Sequence, residues 1–176
     1  MKRMLFLLGI LGLLLMACSL SVISSTATST ATSPGATISS SPMTVTVYFT
    51  NLANFQVGQE PYESPVTRTV PASDNKPQVV LTQLFLGPTA DEKAQGLAAF
   101  YSGATGFSQL TVEAGVARVY LTGDCNSNGA TYTIANLIDA NLKQFPEIKW
   151  IKIYDPYGET ETPDGQSGSI PFCLEP

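Results

Sequence analysis

The sequence predicts an α+β domain in which two helices cover one face of a small, mixed or antiparallel sheet. Alternating apolar and polar residues indicate strands, and two longer segments repeat apolar residues at helical spacing. A proline or glycine follows each predicted helix. The expected order is β-α-β-β-α-β, which is typical of helices packed on one side of a sheet.

The first half of the domain is predicted to contain a strand, a long loop and a helix. Apolar residues alternate over residues 45–49, whereas residues 51–67 contain glycine and prolines and are expected to form a loop. A short extended segment that includes Val66, Arg68 and Val70 then ends at Pro71. A helix then begins after Ser73 or Asp74 and stops at Gly87, and Thr89 begins a further short turn. The apolar stripe of this helix consists of Val80, Leu81, Leu84 and Phe85.

The second half is predicted to contain a hairpin, a helix and a last strand. The hairpin spans residues 110–121 with its turn at 113–115. A helix follows over residues 131–145, with Asn128 or Thr131 as its cap, and the strand covers residues 148–154. On the solvent side of the helix, Asp139 and Lys143 have the spacing of an ion pair. The inner stripe consists of Ile134, Leu137, Ile138, Asn141, Leu142 and Phe145.

The amino terminus has the pattern of an export signal. Lys2 and Arg3 precede an uncharged apolar run over residues 4–16, which is too short to span a bilayer. Residues 15–18, Leu-Met-Ala-Cys, resemble the lipobox of bacterial lipoproteins, which implies cleavage after residue 17 and lipidation of Cys18. The alternative is an ordinary signal peptide. The expected location is the extracytoplasmic face of the cell membrane, through the lipid anchor.

A spacer is predicted between the anchor and the domain. Of the 24 residues from 19 to 42, 14 are Ser or Thr and none is charged. Such a segment buries too little apolar surface to fold, so we expect a disordered linker. The predicted divisions are a signal peptide at 1–17, the lipidated cysteine and linker at 18–43, and the domain at 44–176.

Charge and cysteine content restrict the function further. The chain carries a net charge of −5, and without Lys2 and Arg3 seven basic residues stand against 14 acidic ones. This balance argues against nucleic-acid binding and against electrostatic adhesion to anionic lipids. Beyond Cys18, Cys125 and Cys173 remain, and an exported protein favours a disulfide between them. Two free thiols or a metal pair are the alternatives, but the sequence has no histidine to complete a metal site.

Several segments resemble the GerMN domain, the sporulation and spore-germination domain of bacterial envelope lipoproteins. The resemblance lies in residues 45–49, 66–71, 84–89, 115–121 and 144–148, and its most specific part is Leu-Gly-Pro-Thr at 86–89 followed by Gly-Val-Ala at 115–117. It implies a non-catalytic envelope domain with a fold similar to ring-building modules that assemble edge to edge. The cysteine pair and the acidic tail lie beyond the shared pattern.

Catalytic and metal chemistry find little support in the sequence. The absence of histidine removes the commonest general base. We interpret the carboxylates at residues 91–92 as the start of a helix and those within residues 155–164 as a solvated loop. No enzyme, catalytic residue, metal or cofactor is expected. Residues 124–129 match the first half of a calcium loop, but Ala135 stands where the bidentate glutamate belongs, so an Asx-rich turn is favoured. Trp150, Tyr154 and Tyr157 are interpreted as core residues, with a ligand platform as the alternative.

Two functions follow as hypotheses. The first is contact with envelope proteins, self-association included, through an exposed strand edge, for which the strand at 45–49 is the candidate. The second is a lipoprotein that binds a cell-wall glycan or a solute.

Overall fold

The computed structural model describes residues 41–176, in which ten strands and helices form two sheets and a helical layer. The predicted signal peptide, Cys18 and the linker up to residue 40 lie outside the described residues. In chain order the elements are β1 (Pro42–Asn51), α1 (Leu52–Val57), β2 (Glu63–Pro71), α2 (Lys76–Leu86), α3 (Ala90–Ala94), β3 (Leu97–Ala98), β4 (Ala104–Glu113), β5 (Val116–Gly123), α4 (Ile134–Leu142) and β6 (Trp150–Tyr154), with a 3₁₀ turn at Phe172–Leu174.

The strands divide into two three-stranded sheets. The first has the order β2-β1-β3 and is antiparallel. The second has the order β4-β5-β6, with β4 antiparallel and β6 parallel to β5. The α+β class and the mixed pairing are therefore confirmed. The prediction of one sheet is wrong, because the hairpin β4–β5 pairs with β6, whereas β1 pairs with β2 and β3 in a separate sheet.

The middle of β1 is completed by side chains of the segment around α4. The Tyr48 N–H donates to Asn141 Oδ1 at 2.9 Å, and Asn141 Nδ2 donates to the Tyr48 carbonyl at 2.8 Å. Gln144 Nε2 donates to the Thr46 carbonyl at 3.1 Å, whereas β3 reaches only Thr50 and Asn51. The candidate edge at 45–49 is thus wrong: β1 is the central strand, and its second side is covered.

Helices α2 and α4 form the layer that connects the two sheets. They pack on each other and on β1, while α2 also contacts β4 and α4 contacts β6. The predicted helical stripes are confirmed as the buried faces, apart from Phe85 and Phe145, which are half-buried at the margin. The fully buried side chains with the largest volumes include Phe49, Leu81, Leu84, Leu121, Ile134, Leu137, Ile138, Leu142 and Ile153.

The predicted loop at 51–67 is the largest local error. Asn51 Oδ1 accepts hydrogen bonds from the N–H groups of Ala53 and Asn54, and this cap begins α1. Strand β2 then starts at Glu63 and contains Pro65, which an outermost strand tolerates because one side of its backbone needs no partner. Gly58 belongs to the capped end of α1 and Pro65 to the edge strand β2, so only Pro61 lies in a connecting loop.

Other boundaries moved by a few residues. β1 starts at Pro42, two residues before the expected 44. Asn75 caps α2, and Thr89 caps α3 in a capping box with Glu92. Thr133 caps α4, which is shorter than predicted and ends at Leu142. None of the helices in the described part of the chain combines the length and hydropathy that a membrane span requires.

The four strand edges differ in what covers them. Ser169 pairs with β6, with its N–H bonded to the Ile151 carbonyl and its carbonyl to the Ile153 N–H. β3 is only two residues long, and β2 carries Pro65 and Pro71. β4 is ten residues long and, within residues 41–176, has a strand partner on one side only. It is the longest open edge in the described chain.

We predict that Asn141→Leu lowers the free energy of unfolding by about 3 kcal/mol. Leucine keeps the volume but leaves the partly buried amide and carbonyl of Tyr48 without Asn141 as a partner, and each unpaired group costs roughly 1–3 kcal/mol. Urea unfolding measures the effect. Lys143→Ala is the control: it removes only an exposed ion pair with Asp139 at 3.0 Å, worth about 0.5 kcal/mol. Equal losses in the two variants would contradict the role of Asn141.

Candidate functional site

The candidate site is a groove of about 1080 Å³, which we call the acidic groove. Four segments line it: α1 with its connection to the start of β2, the start and outer face of α4, strand β6, and the carboxyl-terminal tail. The residues that matter for its chemistry are three aromatic residues, four acidic residues and one lysine: Phe55, Tyr62, Tyr132, Glu60, Glu63, Asp139, Glu161 and Lys143.

An aromatic cluster forms one part of this groove. The ring of Phe55 lies 5.5 Å from Tyr62 and 5.1 Å from Tyr132, and Phe100 packs behind them. All three groove rings are half-buried, so each keeps part of its surface open. Because the rings come from two separate segments, their packing fixes the α1–β2 connection against the start of α4.

A hydrogen-bond chain orients the Tyr132 ring. Its hydroxyl lies 2.5 Å from Glu63 Oε1 and 3.1 Å from Thr50 Oγ1. Burial raises the pKa of Tyr132 well above its ordinary value, and the hydrogen bond to Glu63 raises it further. The phenol therefore remains a proton donor at every physiological pH and holds Glu63 in one position at the groove.

The family-like segment at 84–89 contacts Arg68, a half-buried arginine of β2. Arg68 Nη2 donates to the Gly87 carbonyl at 2.8 Å and to Glu92 at 2.5 Å, and Nη1 donates to the Gln83 carbonyl at 3.0 Å. The guanidinium also lies 5.0 Å from the Phe49 ring centre. This Arg68 clamp ties β2 to the turn between α2 and α3.

Gly87 is required at this turn for two reasons. Its φ of +78° lies in the left-handed region, and a Cβ here would approach the Tyr101 hydroxyl to 2.8 Å. The Tyr101 hydroxyl in turn donates to the Leu84 carbonyl at 3.1 Å. The Leu-Gly-Pro-Thr motif is thus a structural turn, and its residues do not line the acidic groove.

Besides the pairing of Ser169 with β6, two further contacts fix the carboxyl-terminal tail to the domain. Cys125 and Cys173 form a disulfide with Cα atoms 5.6 Å apart. Lys152 is fully buried in β6, and its ammonium donates to the carbonyls of Thr162 and Asp164. Burial lowers the pKa of Lys152, the nearby Arg118 charge lowers it further, and Asp164 partly offsets this. The tail residues that line the groove are therefore held in place.

The other residues singled out in the sequence lie outside the groove. In the segment 124–129, Asn126 Oδ1 accepts a hydrogen bond from the Asn128 N–H two residues on, as in an Asx turn, and Asp124 Oδ1 accepts one from the adjacent Cys125 N–H. Tyr154 is buried and stacks on Tyr120 at 4.4 Å, whereas Trp150 and Tyr157 are 42% and 90% exposed. The core interpretation thus holds for Tyr154 alone.

Two further features bear on chemistry. Ser73 and Lys76 have the spacing of a Ser-Lys pair, but both are exposed and Ser73 Oγ accepts a hydrogen bond from the Asn75 N–H. Across residues 41–176, no group of three or more Cys, Asp and Glu side chains is close enough to hold a metal ion.

The groove aromatics were missed in the sequence because two of them stand in a segment expected to be loop, and Tyr132 precedes its helix.

Comparison with known families assigns the fold. The Germane family, described as "Sporulation and spore germination", matches residues 46–154. The chain belongs to this family. The Germane match begins within β1 and ends with β6, so it covers both sheets and the helical layer but excludes the disulfide-bonded tail.

A solved structure is also similar to this Germane chain: the tandem GerMN domains of the sporulation protein GerM from Bacillus subtilis. The two are 18% identical with a TM-score of 0.46, and the alignment covers 77% of this chain. It covers 46% of the GerM structure, so this chain spans less than half of that length. No curated protein matches.

The Arg68 clamp predicts a pH-dependent stability. Burial by itself raises the pKa of Glu92, but the hydrogen bonds from Arg68 and Thr89 and the arginine charge hold it below 4.5. The ion pair therefore stabilises the fold fully above pH 4.5, and this stabilisation is lost as the pH falls through the lower folded-state pKa. Glu92→Gln should lower the free energy of unfolding by about 2 kcal/mol at neutral pH.

Urea midpoints of the wild type and Glu92→Gln, measured from neutral pH to pH 3, should converge as the pH falls below 4.5. Glu147→Gln changes an exposed carboxylate and should give a constant, small difference. A difference between wild type and Glu92→Gln that does not depend on pH would contradict the clamp.

Proposed function

We propose that this chain is a lipoprotein of the cell envelope whose Germane domain acts through protein contact in sporulation or spore germination. The lipobox-like residues 15–18 and the Ser/Thr-rich spacer support the anchor. The description of the Germane family supports a role in sporulation or spore germination. Histidine is absent from the chain, which disfavours the commonest acid–base and nucleophilic mechanisms and favours a non-catalytic role.

The proposed protein contact rests on one observation, the open edge of β4. Its sequence is uncharged from Ala104 to Val112, and natural edge strands that avoid pairing usually carry charges or prolines. Register shifts interrupt its pairing with β5 before Gln109, and residues 109–113 are regular. Leu110 is half-buried and Val112 is 36% exposed, so an added strand covers apolar surface that the domain itself leaves open.

A second copy of the chain fits this edge. In an antiparallel pair of β4 strands centred on Thr111, each Leu110 lies opposite Val112 of the other copy, and each Glu113 lies opposite Gln109. No like charges then face each other. Such a contact is small and weak in solution, but a shared membrane anchor raises the effective concentration of the two edges.

The anchor is tested by Cys18→Ser. The variant is expected to lose fatty-acid labelling and to leave the membrane fraction, because the described domain has no helix able to span the bilayer. Ser19→Ala, next to the anchor, is the control and should remain labelled. A Cys18→Ser protein that stays labelled and membrane-bound would refute the anchor.

Self-association is tested by Thr111→Lys. In the centred register this change places two lysines opposite each other, which destabilises the pair while the monomer keeps its fold. The protein is anchored to lipid vesicles and its self-association is measured by sedimentation. The wild type should self-associate, and the variant should not. Thr69→Lys, on the other exposed edge strand β2, should associate as the wild type does. Equal association of Thr111→Lys would rule out the β4 edge, and a wild type that remains monomeric would favour a ligand-binding lipoprotein.

A further inference from the structure

The acidic groove carries more negative charge than the domain neutralises. Four carboxylates line it, from Glu60, Glu63, Asp139 and Glu161, against the single ammonium of Lys143. Lys143 lies 3.0 Å from Asp139 and compensates that charge. Among residues 41–176 the other three carboxylates form no ion pair, and the side chains of Glu60 and Glu161 are exposed. The groove therefore offers three uncompensated negative charges to a ligand.

The carboxylates are spread along the groove and do not converge on one point. Glu60 comes from the α1–β2 connection and Glu63 from the first position of β2, whereas Asp139 comes from the outer face of α4 and Glu161 from the tail. No three of them approach closely enough to hold a metal ion. A compact cation therefore cannot contact three of these carboxylates at once, whereas an extended ligand can carry several positive charges along the groove.

The aromatic rings add a second type of contact for a cation. Phe55, Tyr62 and Tyr132 border the same groove and keep part of their surface open. A guanidinium group over such a ring is attracted by about 0.5–1 kcal/mol at an exposed site. The chain itself uses this contact where Arg68 lies over the ring of Phe49.

We infer that the acidic groove binds a basic, extended peptide segment of another protein, with arginine side chains seated between the aromatic rings and the carboxylates. The volume of about 1080 Å³ suits several residues of such a segment. The aromatic packing, the disulfide and the buried Lys152 hold the walls in position, so little ordering is needed on binding. This site contains no residue of β4 and is independent of edge pairing.

The test uses the full chain in a non-ionic detergent and a fluorescent peptide in which arginine alternates with serine. The control peptide has citrulline in place of arginine and is expected not to bind. Glu60→Gln combined with Glu161→Gln should weaken binding of the arginine peptide about fivefold, since each exposed carboxylate contributes about 0.5 kcal/mol. Asp74→Asn combined with Glu147→Gln removes the same charge outside the groove and should leave binding unchanged.

A third variant separates the groove from general attraction between charges. Tyr62→Leu keeps the charge and the apolar bulk but removes a ring, and it should also weaken binding while thermal unfolding shows that the domain is folded. The proposal is overturned if the arginine peptide does not bind, if both charge variants weaken it equally, or if Tyr62→Leu has no effect. Tighter binding of chitosan oligosaccharides that compete with the peptide would also overturn it, in favour of an amino-sugar ligand.

Discussion

The position of β1 is fixed by the side-chain amide of Asn141, and much of the domain depends on this contact. β1 lies at the centre of its sheet, yet β3 is too short to pair with most of its second side. Asn141 bonds both backbone groups of Tyr48 and also the Leu137 carbonyl. Because α4 packs on β6 as well, one buried amide joins the first sheet to the second through a helix.

The Arg68 clamp has a similar role at the opposite helix. Its guanidinium satisfies carbonyls that the end of α2 leaves free, and Glu92 neutralises its charge. The family-like residues Leu-Gly-Pro-Thr at 86–89 form this turn. Their physical purpose is to end one helix, begin the next and hold β2, so they identify the fold without identifying a ligand.

The tail beyond the family match gives this chain its own surface. Ser169 covers the free side of β6, and the disulfide and Lys152 hold the segment on the domain. Glu161 and the residues around Ser169 thereby become a wall of the acidic groove. A Germane domain without such a tail would lack that wall, so the groove belongs to the extended chain and not to the shared fold.

The sequence by itself determined the α+β class, the buried stripes of α2 and α4, the turn at Gly87 and the family, because these depend on periodicity and on local backbone preferences. It also indicated the cysteine pair by count. Only the tertiary structure decided that the strands form two sheets, that β1 is central and β4 open, and that distant aromatic and acidic residues share a groove. Strand pairing is a competition among distant segments, and here an asparagine from α4 took the place that a strand would have filled on β1.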